Sequence, residues 1–159
     1  MYIMQTKNKN IELLSSLNKA FHGPKAVNLG WLMKYANIYN FSVPNGISLK
    51  KNVFQEILSN SDIKTLLDQY YAFESSDEKI KIGSLIQEKI IISTHLNYLI
   101  ADELVSFVRG YDKKTLFAIR SAAFSEDSTN KSSAGQYESY LCIKNSVKSI
   151  LHTIALCYA

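Results

Sequence analysis

The sequence has few of the residues that mark a redox, metal-binding or secreted protein. Among 159 residues there are two cysteines, Cys142 and Cys157, with no CxxC spacing and no histidine at a metal-ligand interval. We expect both to be buried thiols in a reducing compartment, which predicts a cytoplasmic protein. The N-terminal stretch lacks the apolar core of a signal peptide, and Ser93, Thr94 and His95 interrupt the longest apolar run. Export and membrane insertion are therefore not expected.

Several motifs of catalysis and nucleotide binding are also missing. The chain contains no GxxxxGK[ST] loop, no GxGxxG, no HExxH and no GxSxG segment. The net charge of +4 comes from lysines that are dispersed singly or in short pairs. Because a nucleic-acid backbone is normally followed by clustered cations, we expect no nucleic-acid partner and only a mild preference for anionic ligands.

The composition that is present is that of a folded domain. Hydrophobic residues make up 47% and charged residues 20% of the chain, which is typical of a single globular unit, here residues 1–159. Apolar spacing predicts helices over 10–20, from Pro24 through Tyr39, from about Lys51 to Val108 with breaks near Asn60 and Ser75, and over the last segment from Ser146. Alternation predicts a short strand or a strand pair around the Pro-Asn-Gly turn of "FSVPNGISLK", and one strand each in "TLFAIRS" and in "GQYESYLCI". The expected class is α+β, with helices packed on a small, mainly antiparallel sheet.

Lys25 is the first candidate binding residue. It follows Pro24 at the predicted start of a helix, where the helix dipole already places positive charge. A lysine there is favourable if an anion such as a phosphate binds the exposed N–H groups. The alternative is an ordinary solvated lysine at a loop-to-helix junction. His22 adjoins this segment and is a further candidate for contacting an anion.

Arg120 is the second candidate. It ends an apolar strand, and it either pairs with a nearby carboxylate, such as Glu126 or Asp127, or directs its N–H groups at phosphate oxygens. The segment from Ser121 to Gly135 that follows has small side chains, which let backbone N–H groups approach an anion closely. The loop favours the phosphate interpretation.

Three segments of the sequence, in their order and at their spacing, resemble a known protein family. "GPKAVNLGWL", "VPNGISL" and "AIRSAAFSEDSTNKSSAGQYESYL" together resemble the N-terminal half of the ATP-binding domain of phosphoenolpyruvate synthase (pyruvate, water dikinase) and pyruvate phosphate dikinase. The module also occurs in related dikinases and antibiotic phosphotransferases. The resemblance runs from about Phe21 to Ala159.

The resemblance implies the N-terminal subdomain of an ATP-grasp-like fold that binds ATP. It assigns catalytic and phosphate-binding roles to Lys25 and Arg120, and further phosphate contacts to Ser133, Ala134, Gly135 and Gln136. In such enzymes ATP, with Mg²⁺, phosphorylates a histidine on a separate swivelling domain, which passes the group to pyruvate or another acceptor. Lys25 and Arg120 would offset the charge of the transferring group.

The sequence departs from the family in places. Pro24 stands where a second glycine is usual. Asn45 and Ile47 flank Gly46 where the family tends to have proline and phenylalanine, and Ala123-Phe124 replaces the usual small residues after the arginine strand. The second subdomain, with the adenine pocket and the Mg²⁺ ligands, would follow Ala159, and no phosphohistidine segment is present. We therefore expect the isolated chain to be inactive in phosphoryl transfer.

A second hypothesis is a stand-alone, non-catalytic interaction or regulatory module with the same fold. It requires the apolar C-terminal helix to be exposed and to pack on a partner or on another copy of the chain, whereas under the first hypothesis the missing C-terminal domains of the same polypeptide would cover it. The residues expected on that exposed surface are Ile150, Leu151, Ile154 and Leu156.

Overall fold

The computed structural model describes residues 10–122 and 138–159, and these ranges contain six α-helices and four strands. In chain order the elements are strand β1 (Ile11–Leu13), a 3-10 turn (Leu14–Ser16), helix α1 (Pro24–Tyr39), strand β2 (Ile47–Leu49), helices α2 (Lys51–Leu58), α3 (Ser61–Ala72), α4 (Ser76–Ile92) and α5 (His95–Val108), strands β3 (Leu116–Arg120) and β4 (Ser139–Lys144), and helix α6 (Val147–Tyr158). The predicted α+β class is confirmed, but the strands form two separate two-stranded antiparallel sheets, β1–β2 and β3–β4, instead of the one small sheet that was expected. Within the described ranges no helix is long and apolar enough to cross a membrane.

The helix predicted over residues 10–20 is wrong. Its first part is β1, which pairs antiparallel with β2, and the Leu14 N–H donates to the carbonyl oxygen of Gly46 (3.0 Å). These partners lie more than thirty positions away in the sequence, as the pairing of Ile11 with Leu49 shows. The spacing of apolar residues within a short segment does not reveal a pairing partner that is distant in the sequence. Short apolar runs are also ambiguous between helix and strand.

The segment around the Pro-Asn-Gly turn, predicted to be a short strand or a strand pair, forms one short strand. Residues 47–49 are a strand, but their partner is β1, and residues 41–46 are irregular. A Cβ at Gly46 would lie 2.6 Å from Leu14 Cδ1, so any larger residue here requires the Leu14 side chain to shift. The turn therefore supports the 3-10 segment rather than a hairpin.

Helix α1 begins at Pro24, as predicted, and lies on the 3-10 turn. A Cβ on Gly30 would come 2.3 Å from the carbonyl oxygen of Leu14, so this glycine lets the helix backbone approach the turn closely. The helix ends at Asn40, whose φ of 52° is left-handed.

Helices α2 to α5 build the core, and the predicted breaks near Asn60 and Ser75 are found. A further break occurs at Ser93 and Thr94. Helix α5 lies at the centre, because its buried residues recur every four positions. They are Leu96, Ile100, Leu104 and Val108.

Strands β3 and β4 form the predicted antiparallel hairpin, with Phe117 opposite Ile143 and Arg120 opposite Ser139. A register shift between Phe117 and Ile119 marks a β-bulge. In β4, Cys142 has a left-handed φ of 59° and is exposed, so the expectation that it is buried is wrong. Cys157 is half-buried, and burial raises the pKa of its thiol to about 11.

Helix α6 forms as predicted, but it is not an exposed apolar surface. It packs against α4, α5 and the β3–β4 hairpin. Ile150 and Ile154 are 5% and 8% exposed and belong to the core, while Leu151 and Leu156 are half-buried. The apolar side of α6 is satisfied within this chain, because both the hairpin and the helices lie against it.

Candidate functional site

The first candidate, Lys25, is the second residue of α1 and is exposed. No side chain caps this helix, and its first turn contains no acidic residue. The first helical hydrogen bond runs from the Val27 N–H to the Gly23 carbonyl oxygen (3.1 Å), so the helix itself uses no N–H before Val27. The first turn of α1 thus supplies no carboxylate of its own to the positive end of the helix, unlike α3, where Asn60 caps and Asp62 lies in the first turn.

The chain just before Lys25 is held in place by β1 and β2. The Lys51 N–H donates to the carbonyl oxygen of Phe21 (2.9 Å). The ring of His22 is buried, with Nδ1 2.9 Å from Ser48 Oγ and Nε2 3.2 Å from Glu12 Oε2. His22 therefore fixes the approach to the helix, and the expectation that it contacts an anion is wrong.

Glu12 is the charged centre of this support. Its Oε2 accepts the N–H of Asn18 (2.9 Å), and its Oε1 lies 3.0 Å from Lys50 Nζ. Partial burial raises the pKa of the Glu12 carboxyl, but the Asn18 N–H and the Lys50 ammonium outweigh it and hold the pKa below its ordinary value. Glu12 is therefore an ionised anchor beneath the start of α1.

Arg120 is the last residue of β3 and is exposed. Phe117 and Ile119 pack toward the core, so the alternation of the strand turns Arg120 to the opposite face. No ion pair joins Arg120 to a described carboxylate. Its two predicted partners, Glu126 and Asp127, lie outside the described residues, as do Ser133, Ala134, Gly135 and Gln136.

The two cations are carried by separate parts of the fold. Helix α1 packs on the 3-10 turn, whereas β3 packs on β4 and α6, and among the described elements α1 and β3 share no extensive contact. Lys25 and Arg120 are thus both exposed at the ends of rigid elements, without being joined by packing between those elements.

The charged residues are unevenly distributed along the sequence. Between Leu13 and Gln55 the chain has five lysines and no aspartate or glutamate, although it has 14 acidic residues in total. This acid-free segment contains α1 and both of its flanking connections. The region around Lys25 is therefore more cationic than the overall charge of +4 indicates.

Within residues 10–122 and 138–159, no group of three His, Cys, Asp or Glu side chains is arranged to hold a metal ion. The described part of the chain therefore offers cations and backbone N–H groups, which suit an anion, and offers no carboxylate cluster of the kind that holds Mg²⁺.

Comparison with known proteins connects these features to a family. Residues 20–159 match the sequence model of the family described as pyruvate phosphate dikinase, AMP/ATP-binding domain. The matched range includes Lys25, Arg120 and every helix described above. No solved structure matches the chain.

Three similar curated proteins are named rifampicin phosphotransferase. The protein from Bacillus subtilis (strain 168) is 29% identical over 140 residues, and that from Bacillus cereus is 27% identical over 140 residues. A Streptomyces protein is 24% identical over 139 residues. Each match covers 86% of this chain but only 16% of the relative, so the chain spans about a sixth of the length of these proteins.

Proposed function

Because this chain belongs to the family of the AMP/ATP-binding domain of pyruvate phosphate dikinase, we propose that it binds the phosphate groups of ATP. The uncapped N-terminus of α1 and the side chains of Lys25 and Arg120 are the binding groups in this proposal. The loop residues Ser133, Ala134, Gly135 and Gln136 would add backbone N–H donors. The observation that carries the proposal is the lysine at an uncapped helix N-terminus within an acid-free segment.

The described residues suit the phosphates better than the rest of the nucleotide. Lys25 supplies a point charge, Arg120 supplies a planar fork of donors, and the α1 N-terminus supplies oriented N–H groups. Bound ATP would supply the phosphoryl group, and Mg²⁺ would neutralise part of its charge. In the proposal the carboxylates for that ion come from a further part of the protein, and the residues that the structure describes hold no acidic cluster.

The proposed place of this chain in a larger protein follows from its relatives. Most of each relative lies outside the matched part, and we take this chain to be the N-terminal subdomain of an ATP-grasp-like nucleotide domain. The whole protein would phosphorylate a carrier histidine from ATP and transfer the group to pyruvate or another acceptor, in the cytoplasm. The relatives' name adds an antibiotic to the candidate acceptors. This chain alone would bind phosphate without transferring it.

A calorimetric titration of the purified chain tests the phosphate site. ATP and inorganic tripolyphosphate are expected to bind with similar affinity and adenosine not at all, because the proposed contacts are to the phosphates. Lys25→Ala and Arg120→Ala should each weaken binding by roughly tenfold to a hundredfold, the range for loss of a charge-assisted hydrogen bond.

Two matched variants serve as controls. Lys34→Ala removes another exposed lysine of α1, and Arg109→Ala removes the only other arginine of the chain. Both should leave ATP affinity unchanged. Failure of the unmodified chain to bind ATP or tripolyphosphate would contradict the proposal, as would equal losses in the test and control variants.

The alternative, a stand-alone interaction module, loses the feature on which it was based. It required an exposed apolar surface on α6, and Ile150 and Ile154 are instead buried against the rest of this chain.

A further inference from the structure

Helix α1 has two apolar faces, and only one of them is covered. Its inner side, which includes Ala26, Gly30 and Ala36, is buried against the 3-10 turn. The opposite side, called here the outer face of α1, consists of Trp31, Leu32, Tyr35, Ile38 and Tyr39, which are 48%, 51%, 43%, 69% and 70% exposed.

These five side chains form one continuous stripe. At 100° per residue they cover roughly a third of the helix circumference. The ring centroids of Trp31 and Tyr35 are 6.5 Å apart, and those of Tyr35 and Tyr39 are 6.3 Å apart, so the aromatic residues form a ladder along the helix. A helix that is apolar on both sides is normally buried on both sides.

The size of the stripe is that of an interaction surface. An aromatic side chain buries about 150–250 Å² when it is fully covered, so three half-exposed rings with Leu32 and Ile38 leave several hundred Å² exposed. Apolar patches of about 300–600 Å² are the largest on typical monomers and are often functional. A standard interface takes about 800 Å² from each partner.

The surroundings of the stripe are basic. Lys19 Nζ lies 4.4 Å from the centroid of the Trp31 ring, and Lys25 and Lys34 stand on α1 itself. Neither α1 nor the rest of the sequence between Leu13 and Gln55 contains an acidic residue. A surface that covers the outer face therefore meets lysines at its edges.

We propose that the outer face of α1 is the docking surface for a protein domain whose apolar surface is edged by carboxylates. The proposal does not depend on nucleotide binding. A second copy of this chain fits less well, because pairing two α1 helices through these faces brings their lysines together, and α1 itself contains no acidic residue. A separate domain accords with the relatives, most of whose length lies outside the part that this chain matches.

The outer face of α1 thus replaces α6, which the sequence predicted to need a cover, as the apolar surface that the described part of the chain leaves exposed.

Trp31 is the only tryptophan of the chain and reports directly on this surface. The probe is a synthetic amphipathic helical peptide whose leucine face is edged by glutamates, and its matched control is the same peptide edged by lysines. The glutamate peptide should shift Trp31 emission to shorter wavelength and protect it from acrylamide. The lysine peptide should do neither, and added salt should weaken the glutamate complex.

Variants locate the binding surface. The double variant Ile38→Ala, Tyr39→Ala keeps Trp31 and the helix but should weaken peptide binding by at least about tenfold, as expected for central apolar contacts. Tyr98→Ala, which truncates an 89% exposed tyrosine on α5, should leave binding unchanged.

Four results would overturn the proposal. The first is that the glutamate peptide leaves the Trp31 emission unchanged. The second is that the two peptides bind equally, which would mean that the contact is apolar and does not select for charge. The third is that raising the concentration of the chain alone shifts the wavelength of Trp31 emission, which would assign the face to a second copy. The fourth is that vesicles of anionic phospholipid shift this wavelength while the glutamate peptide does not, which would assign the face to a membrane surface.

Discussion

At the scale of single residues, the start of α1 depends on a carboxylate that the sequence does not distinguish from others. Glu12 lies near His22 Nε2 and Lys50 Nζ and accepts the N–H of Asn18. The pKa of its carboxyl is lowered because burial is outweighed by that N–H and by the Lys50 ammonium. Since the lowered pKa belongs to the folded state, the ionised form stabilises the fold.

The contribution of Glu12 to stability should depend on pH. Because the folded pKa of Glu12 is below its ordinary value of 4.5, its contribution is fully present above that value. The contribution is lost as the pH falls through the folded pKa. Glu12→Gln should lower the free energy of unfolding by about 1–3 kcal/mol at neutral pH and by less in acid. Urea unfolding at pH 7 and at pH 3 measures the difference.

Glu74→Gln is the matched control, because Glu74 is exposed between α3 and α4. It should change the stability little at either pH. An equal loss at pH 7 and pH 3 in Glu12→Gln would show that the contribution of Glu12 does not depend on its charge.

At the scale of elements, two helical glycines have opposite roles. Gly30 lies where α1 touches the 3-10 turn, and a Cβ there would come 2.3 Å from a backbone oxygen. Gly83 lies in α4, where a Cβ would meet only the Tyr70 ring edge at 3.9 Å, an ordinary contact. One glycine is a requirement of packing, and the other only lowers helix propensity.

Alanine substitution at these two positions should therefore have opposite signs. Gly83→Ala should stabilise the protein by roughly 0.5–1 kcal/mol, the usual advantage of alanine over glycine in a helix. Gly30→Ala should destabilise it by about 1–3 kcal/mol, because α1 must move off the turn. Thermal unfolding of both variants measures the difference, and a stabilised Gly30→Ala would contradict the close contact.

At the scale of the whole molecule, α6 closes the core. It lies across α4, α5 and the β3–β4 hairpin, and its buried residues join a cluster that also includes Ile11 of β1. Elements from both ends of the described chain thus share one core. Unfolding is therefore expected to be a single cooperative transition.

Shortening a buried side chain of α6 should lower the stability of the entire fold. Ile150→Ala, at a position 5% exposed, should lower the free energy of unfolding by about 2–5 kcal/mol through a cavity in the shared core. Ile92→Ala makes the same change at a position 62% exposed and should alter stability by about 0.5 kcal/mol or less. Denaturant titration compares the two, and similar values would mean that α6 does not hold the core.

The sequence by itself determined the elements whose patterns are local. The start of α1 at Pro24, the helices between Lys51 and Val108, the two strands of the hairpin and α6 were all predicted, because each is set by apolar spacing or by a turn within a few residues. The order of the three segments in register also sufficed to predict the family. Lys25 and Arg120 remain site predictions that follow from that family resemblance.

Only the tertiary structure decided which surfaces are covered and which partners are distant. Residues 10–20 follow a helical pattern but pair with β2, and His22 is buried beside Glu12, because bonds to residues far along the chain outweigh local preference. The apolar side of α6 is filled from within, whereas the outer face of α1 is left exposed. Side chains of equal hydrophobicity line both helices, and their burial depends on what the fold places against them.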